Sequence, residues 1–173
     1  MAFSNLPSIE LLNTRILPSL SRLPWARLAA LYARFALGAA FLSGIADRFG
    51  LYTGRNVGYG DFAGFIRYTA QVNSFMPAST IPFLAWAATL AEFSLGILLV
   101  LGVWHRPVAI ASAVLLVLFG TAMAISFGIK SPMDYSVFSA SSAAVLLALC
   151  DTEDRSSNPP TTMHAPQNMG GLF

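Results

Sequence analysis

FLAWAATLAEFSLGILLVL, residues 83–101, runs nineteen residues with a single charge, Glu92, at its middle. At about 1.5 Å of rise per residue, a helix of this length crosses most of the roughly 30 Å hydrocarbon core of a bilayer. A carboxylate at that depth is costly unless it is paired, hydrated or protonated, so it marks a functional site by default. Steps of three and four residues from Glu92 reach Ala85, Ala88, Thr89 and Gly96, all small. Leu90, Phe93, Ile97 and Leu98 lie away from that narrow face. Small residues let helices approach closely, so Glu92 is expected to point into a bundle and to have a partner there.

The whole chain agrees with a membrane setting. Of its 173 residues 55% are hydrophobic and 10% charged, against roughly 25% charged in a soluble domain. Mean hydropathy is +0.63. The net charge of +2 comes from ten basic and eight acidic residues, with no basic cluster, so nucleic-acid binding is not expected. One cysteine, Cys150, rules out an internal disulfide framework.

An all-α fold follows: an integral membrane, antiparallel four-helix bundle over residues 25–150. An N-terminal arm, 1–24, precedes it, and a polar tail, 151–173, is expected to be disordered. Span one covers about 25–46, with a small-residue ridge at Ala36, Ala40 and Gly44 and an internal Arg34. Span two ends at Gly102, span three covers about 107–128, and span four, the shortest, about 134–150. The 47–81 connection begins as a glycine-aromatic loop. It continues as a short amphipathic helix carrying Phe62, Phe65, Ile66 and Val72, and its length suits a lid or partner-binding element. Arginines before span one favour termini on the cytoplasmic side. The basic count is five inside (Arg15, Arg22, Arg27, Arg106, Arg155) against four outside (Arg48, Arg55, Arg67, Lys130).

Spans one and two centre near residues 36 and 92, which places Arg34 and Glu92 both within roughly 3 Å of the midplane. A buried Arg34–Glu92 ion pair is therefore expected. Two readings of it stand: a polar pocket for a quinone, a small anion or a proton, or a pin that fixes helix register and does no chemistry. Asp47 and Arg48 close span one, where they can touch a ligand at its mouth or serve as solvated anchors. Lys130, Asp134 and Tyr135 form a polar cluster on the face of the long loop, with Asp134 a candidate cap for span four. His105 reads as an exposed turn residue and Cys150 as a packed or lipid-facing thiol.

Neither histidine, His105 or His164, lies within a span, so no pair of intramembrane histidines can hold a haem. No CxxC, Walker, dinucleotide-binding, HExxH or GxSxG motif is present. Redox chemistry would need a diffusible cofactor or a partner subunit.

Three stretches carry a family resemblance: ARFALGAAFLSGIADRFG (33–50), LAEFSLGILLVLGVWHRPVA (90–109) and FGIKSPMDYSVFSASSAAVLLAL (127–149). In them Arg34, Gly38, Phe41, Gly44, Asp47-Arg48, Glu92, Gly96 and Gly102 resemble the DoxX-like family of small bacterial four-helix membrane proteins. The resemblance implies a bundle in the bacterial inner membrane and an association with sulfur and quinone redox chemistry, since related proteins are subunits of thiosulfate:quinone oxidoreductases. It implies a diffusible quinone as cofactor, and a soluble oxidoreductase or another membrane subunit as partner beside the lipid bilayer. The alternatives are a small-solute or proton conduit gated by Glu92, and a structural assembly protein without chemistry.

Overall fold

The computed structural model describes residues 24–52, 54 and 58–156, and every regular element among them is helical. In chain order these are α1 (Pro24–Arg48), α2 (Phe62–Val72), a 3-10 turn (Ala78–Thr80), α3 (Ile81–Leu101), α4 (His105–Phe127), α5 (Lys130–Asp134) and α6 (Val137–Ser156). Helices α1, α3 and α4 are long and apolar enough to cross a membrane. The apolar part of α6, Val137–Cys150, is shorter. α6 runs on to Ser156, six residues into the stretch expected to be disordered, because each added residue needs only one more backbone bond once a helix is nucleated. The rest of that tail, and the arm before Pro24, lie outside the described residues.

Punctuation in the sequence sets the helix ends. Pro82 sits in the first turn of α3, where its missing N–H costs nothing. Gly102 takes the left-handed conformation (φ 69°) after α3 and donates to the Leu98 carbonyl at 2.9 Å, while Val103 N–H reaches the same oxygen at 3.2 Å. This closing motif reverses the chain within three residues and makes α4 the antiparallel neighbour of α3. Asp61 caps α2, its Oδ1 accepting from the Gly64 N–H at 2.6 Å.

The helices pair as α1 on α3 and α4 on α6. Lipid tails are as apolar as leucine, so closeness of approach rather than hydrophobicity holds these pairs. A Cβ at Gly38 would lie 2.8 Å from Val100 Cγ2, and one at Gly96 would lie 3.0 Å from Leu42 Cγ. On α1 the face turned to α3 therefore runs through Gly38, Phe41, Leu42 and Gly44. Ala36 and Ala40, the ridge expected from spacing, are exposed. On α3 the inward face is Ile81, Ala85, Thr89, Glu92, Gly96 and Leu99, the face read from Glu92 in the sequence.

Packing is uneven along the bundle. Leu37, Phe41, Leu99, Val108, Ala109, Ala113, Ala144, Leu147 and Ala148 fill the half where α3 turns into α4. The other half opens into a cavity beneath α2. Ser126 Oγ donates to the Val72 carbonyl at 2.6 Å and meets Ser74 Oγ at 3.1 Å, tying the end of α2 to α4.

Candidate functional site

The expected Arg34–Glu92 pair does not form. The guanidinium on Glu92 belongs to Arg48: its Nη2 donates to both Oε1 and Oε2 at 2.7 Å. The reason lies in the register. Gly38 faces Val100, Gly96 faces Leu42, and Gly44 faces Glu92, so the antiparallel α1–α3 pair is displaced by about two and a half turns from the one that aligns span centres. Arg34 is carried to the opposite end, where its Nη1 lies 2.9 Å from His105 Nε2 and beside Gly102. Arg48, read as an interfacial anchor, is only 4% exposed, and Glu92 likewise.

One signal in the sequence does point to Arg48. The twenty-five residues of α1 span about 37 Å, more than the roughly 30 Å core. If Trp25 and Arg34 take the interfacial end, Arg48 must sink.

Three further groups fix the Arg48 head. Its Nη1 donates to Thr89 Oγ1 at 3.0 Å, and Thr89 in turn donates to the Ala85 carbonyl at 2.7 Å, one turn back on α3. Its Cζ stands 3.6 Å from the centroid of the Phe65 ring on α2, with the Tyr59 ring at 5.9 Å. Cation–π attraction is strongest where the cation is dry, as here. The Arg48 Nε–H is buried and has no hydrogen-bond partner.

Asp47 is also buried, at 8% exposed, and is not a solvated anchor. Its carboxylate accepts from the Tyr59 N–H at 2.8 Å and the Gly58 N–H at 3.2 Å, which stitches the returning loop to the end of α1. A Cβ at Gly58 would lie 2.8 Å from Asp47 Oδ2, so only glycine lets the backbone come this close. Asp47→Ala is expected to cost about 1–3 kcal/mol by leaving two amides unpaired. Limited proteolysis should then cut the 50–60 loop faster, and Asp47→Asn should recover part of the loss.

Tyr59 stacks edge-on to Phe65 (centroids 5.0 Å apart) and tilts against Tyr68 (5.3 Å). Burial, with Tyr68 beside it, pushes the Tyr59 phenol up to about 12, against a smaller opposing pull from Arg48. It is a neutral donor at any physiological pH. An acid raised in the folded state stabilises fully below its unfolded value near 10 and loses that contribution as pH rises through about 12. Burial raises the Tyr68 phenol as well, so ultraviolet titration should show two late-ionising tyrosines, of which Tyr59→Phe removes one.

These groups border a cavity of about 1180 Å³ in the middle of the open half. Its walls are mainly apolar (Leu84, Ala88, Leu115, Phe119 and Met123 among them) with Ser43, Asp47, Arg48, Tyr59, Tyr68, Thr69, Asn73 and Glu92 as polar points. Tyr135 lines its rim and is largely exposed. Lys130 and Asp134 do not reach it; they form an exposed ion pair along α5. Cys150 is exposed. Among the described residues no group of three His, Cys, Asp or Glu side chains converges as a metal site would require.

No curated protein and no solved structure matches the chain. A family model, DoxX, matches residues 29–129, more than half of its length, and takes in both members of the buried pair and the loop between them. This is a multi-pass membrane protein, and it belongs to the DoxX family.

Proposed function

We propose that the protein is a membrane subunit or accessory of a quinone-linked redox system in the bacterial cytoplasmic membrane, its cavity receiving the quinone head group. The observation that carries this reading is the buried Arg48 Nε–H, which has no acceptor although the rest of the guanidinium is paired. A buried donor left unmet costs about 1–3 kcal/mol, and a carbonyl oxygen in the cavity would meet it. Glu92 already neutralises Arg48. A small anion would therefore bring an uncompensated charge into a dry site, whereas a neutral carbonyl brings none. The apolar walls suit an isoprenoid tail, and a volume somewhat above that of ordinary ligand pockets suits ring and tail together.

The chain's own residues bind, orient and exclude water. Arg48 donates to a ring oxygen, with Tyr59 as a neutral second donor and Phe65 covering the guanidinium. A bound quinone would supply two-electron acceptance; the electrons would come from a soluble oxidoreductase or another membrane subunit, since a lone cysteine cannot form a dithiol. The arginines before span one support termini on the cytoplasmic side. A conduit gated by Glu92 is disfavoured because Leu37, Phe41, Leu99 and Leu147 close the other half of the bundle, where the buried hydroxyls of Ser112 and Ser141 are taken up by the Val108 and Ala113 carbonyls.

The test is equilibrium binding of a short-chain benzoquinone to the purified protein, with native extracts assayed for bound quinone. Arg48→Lys keeps the charge but removes the Nε–H, and is expected to weaken binding at least about tenfold, the size of one hydrogen bond to a charged group. Equal binding by the two proteins, both folded, rejects the reading. So does wild-type protein that neither retains nor binds quinone, which leaves the pair as a structural pin.

A further inference from the structure

A second concavity lies on the outer face of the bundle, between α4 and α6, and shares only Leu118 with the lining of the Arg48–Glu92 cavity. It holds about 350 Å³. Its floor is made of small buried residues, Ala113, Ser141 and Ala148. The Ser141 hydroxyl donates to the Ala113 carbonyl at 3.1 Å, so the floor offers a ligand no unmet polar atom. The flanks are Val114, Leu118 and Val145, each about half exposed or more. Such a channel takes hydrocarbon and nothing else.

One end of the channel is different. Arg106, in the first turn of α4, borders it beside the exposed Trp104, an aromatic of the kind that marks the membrane–water boundary. From Arg106 to Leu118 the channel follows twelve residues of α4, about 18 Å of helix. One leaflet of hydrocarbon is about 15 Å thick, half the bilayer core. The channel thus begins with a cation at the head-group level and runs inward for the depth of a single leaflet. Arg106 makes no ion pair with any other described residue.

We infer that this groove binds one glycerophospholipid of that leaflet, with its phosphate on Arg106 and one acyl chain laid over Ala113 and Ala148. Arginine presents a planar fork of donors that matches phosphate oxygens, and the alternative partner at this depth is head-group water. The site is independent of whatever fills the inner cavity.

Native mass spectrometry of the full-length protein, titrated in detergent with phosphatidylglycerol or with a diacylglycerol of the same chains, tests this. One phosphatidylglycerol per protein is expected to bind in preference to diacylglycerol. Arg106→Ala should weaken it about tenfold, one charge-assisted hydrogen bond. Val145→Trp, which fills the groove from a lipid-facing position without touching the helix contact, should remove it. Circular dichroism and thermal melts establish that both variants are folded. Diacylglycerol bound as tightly as phosphatidylglycerol, unchanged lipid binding by either folded variant, a quinone displacing the lipid, or a protein dimer occupying the groove would each overturn the assignment.

Discussion

Glu92→Ala is expected to destabilise the bundle by about 3–5 kcal/mol, the largest single-residue effect in the molecule, because it strands the buried Arg48 guanidinium. The carboxylate accepts two 2.7 Å bonds from Arg48, and the neighbouring Asp47 carboxylate is already held by the Gly58 and Tyr59 amides. Arg34→Ala should cost below about 1 kcal/mol, since Arg34 meets His105 in a partly exposed pair at the far end of α1. Unfolding in mixed micelles measures both. A double-mutant cycle should give strong coupling for Arg48 with Glu92 and none for Arg34 with Glu92. The reverse would restore the pairing expected from span centres. Replacing both partners with apolar residues, Arg48→Met with Glu92→Leu, should return stability to within about 1 kcal/mol of the wild type, because a buried pair contributes little net stability. That double variant also tests the proposed function apart from stability: it keeps the fold and, on the proposed reading, should lose quinone binding.

Gly96→Leu is expected to cost at least about 3 kcal/mol, the upper end for overpacking a close contact. A Cβ there would already stand 3.0 Å from Leu42 Cγ and 3.3 Å from Phe41 Cβ, and a leucine must push α1 off α3. Because Arg48 and Glu92 sit on those two helices, the same displacement should loosen the pair and weaken ligand binding together with stability. Gly96→Ala is the control. Its methyl needs Leu42 to shift by a few tenths of an ångström, and the gain in helix propensity of about 1 kcal/mol offsets that. If the leucine variant melts with the wild type, the close approach of α1 and α3 does not hold the bundle together.

Much of the architecture was legible because it rests on local chemistry. Apolar runs bounded by Pro82, Gly102, Pro107 and Gly128 become α3 and α4 almost residue for residue. The inward face of α3 follows from stepping by three and four around Glu92, since helical period alone decides which residues share a side. The short helix in the long connection was visible too, through Phe65 and Val72, which are buried as their spacing suggests.

The site was half legible. Glu92 announced itself because a charge inside nineteen apolar residues needs a partner, water or a proton. Its partner did not, because Arg34 and Arg48 both lie on α1, fourteen residues apart, and composition cannot say which reaches the depth of residue 92. Counting from span centres assumes that two helices cross the membrane at the same level. Sliding α1 by about two and a half turns leaves its own hydrogen bonds unchanged, carries Arg34 away from Glu92 and brings Arg48 to it. Asp47 and Tyr59 were hidden for a related reason: their roles depend on a loop folding back over the end of α1, and the contact joins residues twelve apart through two backbone amides.

By itself, then, the sequence determined that this chain is a helical membrane bundle with one buried carboxylate that needs a cation. Hydropathy and helical period act within a segment and require no knowledge of neighbours. Only the tertiary structure decided that the cation is Arg48, that Phe65 and Tyr59 cover it, and that a cavity opens beside an unmet Nε–H. Register between helices is set by where glycines let two backbones approach, a property of the pair of surfaces and not of either strand of sequence.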